Sequence, residues 1–129
     1  MTVLGDRESL MVSALKSRTA VTLLTTAVST SLQAGLTIRV TVIGGGPRAT
    51  TNTGRPTYQL ECWGAGVNSR AEAAQLAAVV EHELESGITG TFPAGNVVGS
   101  WVVGDVYASP DPTTSRARYI VTGGLLIQP

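Results

Sequence analysis

Val42-Ile43-Gly44-Gly45-Gly46-Pro47-Arg48-Ala49 reads VIGGGPRA and follows the alternating run TIRVTV, residues 37–42. Spelled as Gly44-x-Gly46-x-x-Ala49, it has the letters of a dinucleotide-binding turn. Such a turn needs its glycines between a strand and a helix, so that the helix N-terminus faces the pyrophosphate. Here Pro47 follows the glycines, then Thr50-Thr51-Asn52-Thr53-Gly54 and Pro56. No helix can begin in that run. The glycines therefore mark a bend between two strands.

The flanks agree. Leu36, Ile38, Val40 and Val42 alternate with Thr37, Arg39 and Thr41, the period of a half-buried strand. Tyr58, Leu60 and Cys62 alternate with Gln59, Glu61 and Trp63. Two strands joined by a polar, glycine-rich tip make one extended hairpin. Val97–Tyr107 and Arg116–Ile127 are also strand-like, and the SPDPTTS turn between them predicts a second hairpin. A short strand is expected around Ala27–Leu32.

Two helices complete the pattern. Asp6 can cap the first, over about 6–18, with Glu8 in its first turn and Lys16 and Arg18 near its end, each sign matching the helix dipole. The second runs over about 69–86. Ser69 and Glu72 have capping-box spacing, and Gly87 supplies the stop. Ala73, Leu76, Ala77, Val80 and Leu84 give it one apolar face. The order helix, strands, helix, strands predicts an α+β fold, a mainly antiparallel sheet with two hairpins packed by the N-terminal and central helices. At 129 residues, with no linker in view, the chain is expected to be one domain, 1–129.

Composition narrows the function. Nine basic residues balance nine acidic ones, so there is no electrostatic footprint for nucleic acid or a membrane surface. Charged residues make up 14%, against the usual quarter, and Val and Thr are abundant, which suits a chain whose flanks are covered by another copy. The single Cys62 allows no internal disulfide and suggests a reducing compartment. No apolar run approaches the roughly 20 residues of a bilayer span. The polar start, MTVLGDRES, does not read as a signal peptide.

Other candidates for chemistry are few. Gly64-Ala65-Gly66-Val67-Asn68-Ser69 does open a helix, but its third position is Ser69 and the acidic residue expected about 20 positions on is missing. It reads as a βα turn. His82 lies opposite the apolar face of its helix. A Cys62–His82 pair is conceivable as nucleophile and base, but Cys62 shares the Tyr58/Leu60 face and reads as a buried thiol. One His and one Cys make no zinc cluster. No catalytic residue, metal ligand or cofactor site is assigned. Glu81, Glu83 and Glu85 share one helix end and read as a wet surface or an interface; Asp105 and Asp111 flank the last hairpin without a ligand set. Arg48 and Arg55 on the hairpin tip, and Arg116 and Arg118 on the last strand, are solvated charges or contacts to a partner's carboxylates. Trp63 and Trp101 are core or interface anchors.

The full arrangement resembles a known family. An N-terminal helix is followed by V-S-T-x-L (Val28–Leu32) and a strand ending in I-G-G (Ile43–Gly45). After the polar loop come a strand ending in Trp63 and the E-A-A-Q-L-A helix (Glu72–Ala77). P-D-P (Pro110–Pro112) then precedes R-x-R-Y (Arg116–Tyr119). This order resembles the tail terminator proteins of long-tailed bacteriophages, especially those of actinobacterial phages. The signal lies in order and spacing over nearly the whole chain.

The resemblance implies a non-enzymatic virion protein, assembled in the host cytoplasm and placed at the tail–neck junction. Such proteins form a ring of six on the last ring of tail-tube protein, stop tube growth and present a surface to the head-side connector. DNA passes through the hole without specific binding, and no membrane is involved. A closed ring needs two different patches meeting head to tail. On this reading Gly44, Gly45 and Gly46 let the chain leave the strand at unusual backbone angles, and Pro47 and Pro56 stiffen the bases of an assembly arm carrying Arg48 and Arg55. Trp101, Arg116 and Arg118 are further interface candidates. Two other classes remain: a head-closure or tail-completion subunit, and a small nucleotide-binding or thiol enzyme.

Overall fold

The computed structural model describes residues 4–25, 27–45, 54–66 and 68–128. Helix α1 (Leu4–Lys16) is followed by the single turn α2 (Thr19–Thr22) and the short strand β1 (Ala27–Ser29). Strands β2 (Thr37–Gly45) and β3 (Pro56–Trp63) form the first hairpin, and helix α3 (Arg70–Ser86) follows. Strands β4 (Gly90–Phe92), β5 (Gly95–Val102), β6 (Tyr107–Ala108) and β7 (Arg118–Gln128) close the chain. The seven strands make one sheet in the order β1-β2-β3-β7-β5-β4, with β6 also on β7. Every pair is antiparallel except β1 with β2. The fold is α+β.

Period two decides which residues meet the helices. Ile38 and Val40 on β2, Tyr58, Leu60 and Cys62 on β3, and Val121 and Leu125 on β7 face one way and are buried. Leu10, Met11, Ala14 and Leu15 of α1 and Leu76, Ala77, Val80 and Leu84 of α3 close over them. Fully burying one such large aliphatic side chain is worth about 1.5–3 kcal/mol. The apolar stripe read on α3 is thus its core face. The other face of the sheet carries Arg39, Glu61, Trp63, Arg118, Ile120 and Gly124, with no helix over it among the described residues.

Several local expectations change. Helix α1 already includes Asp6, so its start lies before the expected cap and its end falls at Lys16. Ser69 is at the N-cap of α3 but makes no capping bond. Its Oγ accepts from the Gly66 N–H at 3.2 Å, because the tight Gly64–Ser69 turn leaves that donor needing a partner. The expected 97–107 strand is broken into β5 and β6, with four residues, 103–106, set against Val121 and Thr122. Strand β1 stops at Ser29 and not Leu32. Strand β4, joined to β5 by Pro93-Ala94, is an addition to the two hairpins read from the sequence.

Candidate functional site

The root of the first hairpin is held at several points. Gly44 pairs with Thr57 and Gly45 with Pro56, after a register shift between Val42 and Gly44. Gly44 and Gly45 thus stay in the ladder, and the irregularity is a β-bulge, where the expectation had them leaving the strand. The bulge frees the Val42 N–H, which donates to Glu8 Oε2 at 2.9 Å and ties the root to α1. On the return leg, Gly54 exchanges both backbone bonds with Ile127, at 3.0 and 2.9 Å. Tyr58 Oη donates to the Arg7 carbonyl at 2.7 Å. Pro56 is buried and Arg55 exposed. Gly46, Pro47 and Arg48 lie outside the described residues.

A polar cluster occupies the helix-free face. Glu61 is only 5% exposed, yet carries a carboxylate. Arg118 Nη1 donates to its Oε2 at 2.8 Å, and Arg39 Nη1 stands 3.5 Å from its Oε1. Arg118 also donates to the carbonyl and hydroxyl of Ser109, at 2.7 and 3.1 Å. Arg116 donates to the carbonyls of Gly64, Gln33 and Gly35, which joins the β1–β2 connection to the end of β3. Both guanidiniums stack over the Trp63 ring, 5.3 and 5.1 Å from its centroid. Trp63 Nε1 and Arg39 Nε are buried with no hydrogen-bond partner among the described residues.

This placement revises the reading of the two arginines. Arg116 and Arg118 do share one face, but their donors engage carbonyls and a carboxylate of their own chain. Trp63 is buried beneath them, and the half-buried Trp101 packs on Gly124. The pairing of Arg118 with Glu61 was missed because it depends on β3 and β7 being neighbours, which alternation alone does not reveal.

The groups considered for catalysis are separated in environment. Cys62 is fully buried on the core face, and burial pushes its thiol well above the usual range. His82 is exposed on α3. In the Gly64–Ser69 turn, the Gly66 N–H is taken by Ser69, and a Cβ on Gly64 would strike the Ser69 Cβ at 2.7 Å. That turn is filled by its own chain. Asp111 Oδ2 accepts from the Thr114 hydroxyl and N–H at 2.6 and 2.9 Å, which holds its carboxyl below the usual range and shapes the last turn. Among the described residues no group of three or more His, Cys, Asp or Glu could hold a metal ion, and no helix is long and apolar enough to cross a membrane.

No protein-family model matches the sequence, and no curated protein matches it either. Among solved structures, the chain is similar to a subunit in the virion of a native gene transfer agent particle. The TM-score is 0.68 and the identity 16%, over 91% of this chain and 90% of that one. A second solved chain, whose name states no function, is 16% identical with a TM-score of 0.50, over 96% of this chain and 92% of that one. At such identity the likeness is one of fold, and it extends over nearly the whole of both chains.

Proposed function

We propose that this protein is a structural subunit of a phage-like virion and acts there as a tail terminator. In this role copies form a ring that caps the tail tube, ends its growth and joins it to the head-side connector. The observation that carries the reading is the fold shared, over about nine-tenths of both chains, with a subunit of a gene transfer agent virion. The order of sequence features that resembles tail terminators supports the finer assignment. The hairpin root supports it further. The strands on both sides of residues 46–53 are fastened to α1 and β7, so a segment held there can bear load from a neighbour. The site chemistry favours assembly over catalysis, since the one thiol is buried and the histidine stands apart in solvent.

The test is to measure the mass of the purified protein by light scattering, image the same peak by negative stain, and then mix it with tail tubes. Rings of about six subunits, or a cap at one tube end, are expected. Binding to the head connector without binding to tubes would overturn the terminator role. Replacing residues 46–53 by a two-residue turn, with Gly54 kept for its bonds to Ile127, should leave the fold intact and abolish rings and caps. Rings and caps that survive the replacement would refute the arm.

A further inference from the structure

Helix α3 carries its charges against its dipole. Glu81, Glu83 and Glu85 occupy its last two turns, where the helix end is negative, and no basic residue stands in the last turn. Glu81 and Glu85 are also at the repulsive i, i+4 spacing. Arg18 Nε answers Glu83 at 3.1 Å. None of the ion pairs among the described residues includes Glu81 or Glu85. At the other end of the helix, Arg70 is exposed in the first turn and donates through Nε to Tyr119 Oη at 3.2 Å, again with no carboxylate in those pairs. Choices that break a helix rule without gain inside the chain point to a function outside it.

Arg70 lines a cavity of about 250 Å³ between the start of α3 and the β6–β7 hairpin. Arg118, Tyr119 and Ser115 line it too, with Ala108 and Ala117 as apolar wall. The volume is below the roughly 300–1,000 Å³ of small-molecule sites, and is on the scale of one or two inserted side chains. A glutamate suits it: the methylenes rest on the alanines and the carboxylate meets Arg70. Arg118 is already paired with Glu61, so Arg70 supplies the uncompensated charge.

We propose that this cavity is the receiving half of a head-to-tail contact between copies of the chain. The Glu81–Glu85 end of α3 in the next copy is the inserting half. The two halves sit at opposite ends of one helix, roughly 17–22 Å apart, so no chain can satisfy its own. A contact between two different patches is heterologous and forms a closed ring when the rotation allows. The inference rests on the ring reading above and names the surfaces that would make the ring.

Two variants each remove one half. Arg70→Ala removes the charge of the cavity, and the pair Glu81→Lys with Glu85→Lys reverses that of the acidic end. Circular dichroism and thermal melting of each verify the fold. Each variant alone should be monomeric by analytical ultracentrifugation. Mixed one to one, they should form a heterodimer through the single contact left intact, with a Kd below about 100 μM. Wild-type rings persisting in both variants would overturn this contact and leave the ring reading standing. A mixture that stays monomeric would overturn it as well. If the wild-type protein neither forms rings nor caps tubes while the mixture does form the heterodimer, the contact holds and the terminator reading fails.

Discussion

Arg118 and Glu61 meet at 2.8 Å on the helix-free face of the sheet, where the glutamate is 5% exposed. A carboxylate is tolerated at that depth because Arg39 approaches from the other side and Trp63 bears the arginine's face. The same guanidinium holds Ser109, so one charge pair ties β3 to the hairpin that carries β6 and β7. Removing only the carboxylate leaves a partly buried cation without its counter-charge. Glu61→Leu is expected to cost about 3 kcal/mol, toward the low end for breaking a buried pair. Urea denaturation should show a lower midpoint at unchanged slope. Glu61→Leu with Arg118→Leu should cost less than the two single changes added together.

Gly124 sets a second constraint on that face. It lies opposite Trp101 in the β5–β7 register. A Cβ there would stand 2.6 Å from the Pro56 carbonyl and 2.7 Å from Trp101 Cε2. Backbone cannot yield as a flexible side chain can. Gly124→Ala should therefore destabilise by about 1–3 kcal/mol. At Gly66 an added Cβ meets nothing within 4 Å, and Gly66→Ala should change stability by less than about 0.5 kcal/mol. Equal melting temperatures for the two variants would contradict this difference.

The contrast between α3 and β4 shows what was legible from residues alone. Ala73, Leu76, Ala77, Val80 and Leu84 recur at helical spacing and all are buried, since periodicity is a local record of which side meets the core. The same holds for Tyr58, Leu60 and Cys62 on β3. Strand β4 has three residues and turns through Pro93-Ala94, which lacks the Asn-Gly type of signal that marks a two-residue hairpin. Ser69 and Glu72 have the spacing of a capping box, but a nearby donor, the Gly66 N–H, competes for the hydroxyl. The candidate site was the least legible part. Arg116 and Arg118 read correctly as sharing a face, whereas their partners other than Ser109 come from residues 52 to 83 positions away and follow from sheet order, not spacing.

Alkaline pH should weaken the fold. Burial raises the Cys62 thiol and the Tyr58 phenol far above their ordinary values of 9.0 and 10.0. In the unfolded chain both titrate near those values, so between about pH 9 and the raised folded values the native state holds protons that the unfolded state has lost. Stability is then full below pH 9 and falls as pH rises, by up to about 1.4 kcal/mol per pH unit for each group once the unfolded form is ionised. Urea midpoints from pH 7 to 11 should trace this decline, and Cys62→Ala should flatten the part that starts near pH 9. A thiol reagent should leave the native protein unmodified at pH 8 and label it in denaturant. Rapid labelling of the native chain would show that the thiol is reachable.

Arg116 offers a direct separation of folding from assembly. Its fork reaches Gly64 on one side and Gln33 and Gly35 on the other, above the Trp63 ring. Lysine keeps the charge but lacks the planar donors that serve three carbonyls at once. Arg116→Lys is therefore expected to lose about 1.5–3 kcal/mol, the worth of a charge-assisted hydrogen bond, and Arg116→Ala somewhat more. Because those carbonyls belong to its own chain, the folded fraction of Arg116→Lys should still form rings and cap tubes. Both properties can be read from one sample, the melt by circular dichroism and the ring by light scattering below the melting temperature. Unchanged stability together with lost rings would move Arg116 from an intrachain clamp to an interface contact, the role its place before β7 first suggested.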